Sequence, residues 1–128
     1  MTLNWNSGEL ANGLQCYRHE QFFEAHEHWE IVWLKSHEPE KTFLQALIQI
    51  TAALHHLQRD NVRGALSLMK AALRRLEAYP AFFGGIALGA LREELSTWVL
   101  LLELGSPVFF KSVPRIELDR ATAETWTA

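Results

Sequence analysis

A chain of 128 residues is one domain by length, and a domain of that size buries roughly two thirds of its unfolded surface without needing disulfide or metal staples. Fifteen carboxylates against twelve Lys and Arg make it mildly acidic, which argues against nonspecific nucleic-acid binding, a process that runs on concentrated positive charge. The one cysteine, Cys16, has no internal partner, as expected in a reducing cytosol. The first residues hold no basic stretch followed by an apolar one, and the longest apolar run, Trp98 to Leu102, is far short of the ~20 residues of a membrane span. The expectation is a single cytoplasmic domain over 1–128, with no membrane and no nucleic acid as partner. Residues 1–7 and 116–128 are expected to be flexible ends.

Helical periodicity runs through most of the chain. A first helix is predicted from Gly8 to His19, with Leu10, Leu14 and Tyr17 on one side and Ser7 as N-cap. A second covers Phe22 to Lys35. Pro39 suits the first turn of a third helix reaching Arg59, whose stripe Leu47, Ile50, Leu54 and Leu57 has core spacing. Asp60-Asn61 breaks the chain, and Asn61 caps a fourth helix carrying Leu66, Met69, Leu73 and Leu76. Tyr79-Pro80 ends it, because the residue before proline is pushed out of the α region. Ala81 to Ile86 reads as an aromatic, glycine-containing turn. A fifth helix carries Leu88, Leu91, Leu95, Trp98 and Leu102 and stops at Gly105. The tail from Ser106 reads as extended, with Val108-Phe109-Phe110 packing back on the helices. The fold class is therefore all-α: a compact bundle of about five helices, two helix hairpins plus a fifth helix, with an irregular C-terminal tail. The hairpins have roughly tetratricopeptide length but no shared residue pattern, so no repeat array is inferred.

Chemistry gathers on the second helix. At ~100° per residue, Phe22, Ala25, Trp29, Val32 and Trp33 form an apolar arc, with Phe23 and Leu34 past its far edge. His26 and Glu30 fall between the two groups. A carboxylate facing an apolar neighbourhood is costly unless paired, so both are expected to be buried and Glu30 to accept a hydrogen bond. On the third helix Gln45, Gln49 and His56 fall within about 40° of one another, flanked by Ala52 and Ala53. A hydrogen-bonded cluster, direct or through one water, joining the second helix to Gln49 or His56 is the expected consequence. His55 reads as a satisfied core histidine, and His19, His28 and His37 as solvated.

Phe23-Glu24-Ala25-His26-Glu27, Trp33, Leu47-Ile48-Gln49-Ile50, His56, and Asn61 with Gly64-Ala65 resemble the bacterial and archaeal domain-of-unknown-function family numbered 309. Its signature of His, three residues, Glu, two residues, then Trp or Tyr falls on His26, Glu30 and Trp33. The likeness covers roughly residues 8 to 80. Ala46 and Asp60 stand where the family commonly has glycine; Asp tolerates left-handed backbone, so the turn is expected to survive. The resemblance implies an all-α bundle with a site and brings no reaction.

Two functional readings stay open. One is an interaction or structural module with a buried His26–Glu30–Trp network and a function on an outer surface. The other is a small-molecule or metal-assisted site between the second and third helices. There His26 and Glu30 are the candidate catalytic residues, and Trp29, Trp33, Gln49 and His56 the candidate binding residues. His26, Glu30 and His56 are the candidate ligands of a divalent metal. His26-Glu27-His28-Trp29-Glu30 is a near miss for the zinc-protease motif, with Glu30 in place of its second histidine. Five Trp and seven Phe in so short a chain also leave material for a homo-oligomer interface. A cleft reaching His26 favours the second reading; full burial with every polar atom paired favours the first.

Overall fold

The computed structural model describes residues 3–107 and 112–119. Its elements run α1 (Gly8–Arg18), α2 (Phe22–Lys35), α3 (Glu40–Gln58), α4 (Val62–Leu76), β1 (Phe82–Phe83), β2 (Ile86–Ala87) and α5 (Leu88–Glu103). The predicted all-α fold and the bounds of the second helix hold. The turn after Tyr79 differs from expectation. It closes as a two-stranded antiparallel ladder, Phe82 opposite Ala87 and Phe83 opposite Ile86. Gly84 and Gly85 supply its positive φ angles of 60° and 84°.

Each helix packs on the next along the chain. The α1–α2 and α3–α4 hairpins turn in the same way, forty residues apart. Gln21 N–H reaches back to Cys16 O and Asn61 N–H to His56 O, both at 2.8 Å. In each turn the residue before the N-cap is left-handed, Glu20 and Asp60 both at φ 60°. The buried positions repeat at the same offset: Leu10 with Ile50, Gly13 with Ala53, Leu14 with Leu54, Tyr17 with Leu57, Ala25 with Ala65 and Trp29 with Met69. A shared hairpin geometry thus exists where no residue pattern was legible. Asn61 caps α4 as expected, its side chain accepting from Gly64 N–H at 3.0 Å. Ser7 sits at the start of α1 without a side-chain cap bond.

The core is built from the inward faces of all five helices, centred on Trp29, Phe43, Leu47, Ile50, Leu54 and Met69. The ends are more anchored than expected. Trp5 is buried and its indole N–H donates to Gly84 O at 2.7 Å. Ile116 is buried, Leu118 bridges to Ile86, and Tyr17 donates its hydroxyl to Pro114 O at 2.6 Å. Burial, with the Glu94 carboxylate adding to it, pushes the Tyr17 phenol up, which keeps it a donor to that carbonyl. The expected packing of Phe109 and Phe110, and the end from residue 120, lie outside the described residues.

Candidate functional site

Helices α2 and α3 pack alongside one another in opposite directions. Near the start of α2, Phe23 meets the His55 ring at 5.4 Å; near its end, the Lys41 ammonium lies 4.6 Å from the Trp33 ring centroid. Between these contacts the helices do not close. A cleft of about 350 Å³ remains. Its polar wall is His26, Glu30 and Trp33 from α2 with Gln45 and Gln49 from α3. Its apolar wall is Ile48 and Ala52 of α3 and Leu68 of α4.

His26 and Glu30 are one helical turn apart, and His26 Nε2 lies 3.2 Å from Glu30 Oε2. In the neutral tautomer with its proton on Nε2, the N–H faces the carboxylate and Nδ1 is a bare acceptor. Phe23 stacks on the imidazole with ring centroids 6.1 Å apart, fixing its plane. His26 Nδ1 is buried and has no hydrogen-bond partner; neither has the Trp33 indole nitrogen nor Gln49 Oε1. Only one further buried side-chain atom among the described residues is unpartnered, Arg75 Nε, which is not part of the cleft wall. Buried polar atoms are normally satisfied, and each orphan costs on the order of 1–3 kcal/mol. Three of them belong to residues that line this cleft.

A larger hollow, about 460 Å³, lies between the end of α1 and residues 113–117. It offers less chemistry, because its basic groups are already engaged. Arg18 donates to Ile116 O at 3.4 Å, and Arg115 pairs with Glu94 and Glu117.

Several expectations need correction. Glu30 is not buried: its side chain is 48% exposed and that of His26 30%. Of the apolar residues that suggested burial, Phe22, Ala25 and Trp29 are buried, but Phe23 and Leu34 on the other side of the pair are exposed. Trp33 is bonded to neither His26 nor Glu30, and no direct bond joins α2 to Gln49 or His56 among the described residues. His56 does not face the cleft; its Nδ1 pairs with Asn61 Nδ2 at 3.0 Å within the α3–α4 turn. The proposed metal set of His26, Glu30 and His56 is therefore not gathered, and no group of three His, Cys, Asp or Glu suited to a metal occurs among the described residues. Trp29 is no cleft wall either. It is fully buried toward α1, its indole N–H donating to Leu10 O at 3.1 Å. His28 is half-buried against Glu9 rather than solvated. Leu68 went unread as a wall residue, since nothing in the α4 pattern separates it from its neighbours.

The molecule thus defines a class: a small helical protein built on two like hairpins, with a half-open, mostly apolar cleft on the seam between them. Residues 10–68 match the model of the family described as Domain of unknown function (DUF309), and that stretch of the chain belongs to it. The match spans the whole α2–α3 seam. An uncharacterized protein of Aquifex aeolicus (strain VF5) is 32% identical over 104 residues, which is 80% of this chain and 28% of that protein. The chain therefore spans little more than a quarter of the relative's length. No helix among the described residues is long and apolar enough to cross a membrane.

Proposed function

We propose that the α2–α3 cleft is a binding site for a small molecule, held by His26, Glu30, Trp33 and Gln49, in a cytoplasmic protein. One observation carries the reading: three of the four orphaned buried polar atoms among the described residues belong to residues that line one cleft. A structural network would pair such atoms with each other; a ligand site keeps them free for the ligand. Glu30 orients His26, which is the candidate acid/base or ligand group. Native mass spectrometry of the full chain purified from cells tests this. The expected result is a bound small molecule on the wild type that is missing from Ala52→Trp, whose indole fills the cleft. A wild-type chain that carries nothing and gains no mass from the small-molecule fraction of a bacterial lysate contradicts it.

The interaction-module reading keeps one observation of its own. Phe23, Ile31 and Leu34 form an exposed apolar stripe on α2 beside Glu27 and Glu30. If that stripe is a self-association face, the same spectra show a dimer, and Leu34→Glu reduces it to monomer.

A further inference from the structure

We infer that the cleft takes a carboxamide-type group, an N–H donor beside a carbonyl acceptor on a flat apolar body, and rejects carboxylates and phosphates. This inference rests on the reading of the cleft as a ligand site. The three orphaned atoms are not alike. Gln49 Oε1 accepts, and the Trp33 indole nitrogen can only donate. His26 Nδ1 accepts as long as its Nε2–H points at Glu30. Reversing that tautomer would set the bare Nε2 lone pair against a carboxylate, so Glu30 fixes the polarity of the site. The unpaired atoms of the wall residues are two acceptors and one donor, and the Glu30 carboxylate is half-exposed beside them. A carboxamide meets it with its NH₂ shared between Gln49 and His26 and its oxygen accepting from Trp33. A carboxylate has no hydrogen for either acceptor and is repelled by Glu30. An amidinium satisfies both acceptors and is drawn by the Glu30 charge, but sets its own N–H against Trp33. The Lys41 ammonium is engaged on the Trp33 ring, 4.6 Å from its centroid, and is not itself part of the cleft wall. Ile48, Ala52 and Leu68 supply the apolar surface for the body of the ligand.

Benzamide, benzoate and benzamidine share one shape and differ only in these hydrogen-bonding groups. Each is titrated into the full-length protein carrying ¹⁵N-tryptophan, with the Trp33 indole N–H signal identified by its loss in Trp33→Phe. Benzamide is expected to move that signal downfield and to bind at least about tenfold more tightly than benzoate, one hydrogen bond being worth about that factor. Benzamidine is expected to give no downfield shift, because it has no acceptor for the Trp33 N–H. Glu30→Gln, which frees the imidazole to turn its N–H inward, is expected to narrow the gap between benzamide and benzoate. Benzoate binding as tightly as benzamide overturns the inference, and so does a Trp33 signal that none of the three moves. If native mass spectra still show a molecule that Ala52→Trp excludes, the cleft remains a site and only its ligand class was wrong. If they show none, both readings fall together.

Discussion

Two tryptophans four residues apart on α2 meet opposite fates. Trp29 is fully buried against α1, and its indole N–H donates to Leu10 O at 3.1 Å. Gly13 makes the fit possible: a Cβ there would lie 2.2 Å from the Trp29 indole nitrogen. Trp5 and Tyr17 pack on the same ring with centroids 6.0 Å away. Trp33 is half-buried on the other seam, with its N–H buried and unpaired. The α1–α2 seam is closed and satisfied, as a core should be. The α2–α3 seam is open and unsatisfied. One helix thus serves as scaffold on one side and as binding wall on the other, and the contrast lies in hydrogen bonding more than in hydrophobicity.

The contrast breaks if substitutions on the two seams cost the same. The largest effect is expected at Gly13→Ala, where the new methyl group collides with a ring that has no room to retreat. Overpacking there should cost about 3 kcal/mol in a denaturant melt. Trp29→Phe should lose about 2 kcal/mol, from a cavity and a lost buried hydrogen bond. The same change one turn later, Trp33→Phe, should stay within about 0.5 kcal/mol of wild type, because the N–H it removes has no partner to lose. Thermal melts of the two Phe variants side by side check the pair; equal losses would erase the distinction. Smallest of all is Glu30→Ala. Its carboxylate is half-exposed and its only ion pair among the described residues is with His26, so about 0.5 kcal/mol or less is expected in the same melt. A loss of 2–4 kcal/mol would restore the structural network.

Much of the scaffold was legible because local signals and tertiary packing agree. Phe22–Lys35 reads as a helix from its periodicity, Asn61 from its place before Gly64-Ala65, and Asp60 from its tolerance of positive φ. The placement of His26, Glu30, Gln45 and Gln49 on facing sides of α2 and α3 was legible for the same reason. Which tryptophan faces which neighbour was not. Trp29 and Trp33 differ by only about 40° on the wheel, and only the third dimension assigns one to α1 and the other to α3. Glu30 was misjudged because apolar neighbours were taken as a sign of burial, whereas α2 carries more apolar surface than its partners cover. His56 was assigned to the site by helical phase alone, while Asn61, five residues on, lies within reach once the chain turns. The common hairpin geometry escaped because it is held by burial and turn shape. Leu14 with Leu54 and Ala25 with Ala65 keep their identity, but Trp29 with Met69 and Tyr17 with Leu57 share only being buried.

The central claim is that the cleft keeps polar atoms unpaired for a ligand at a cost in stability, and Gln49→Leu tests it most directly. The substitution removes the orphaned Oε1 and leaves apolar volume beside Ile48 and Leu68. Equilibrium unfolding in urea is predicted to show the variant more stable than the ligand-free wild type by about 1 kcal/mol, with an unchanged denaturant slope. A loss of 2–4 kcal/mol would mean that Gln49 is a structural partner after all and would contradict the account.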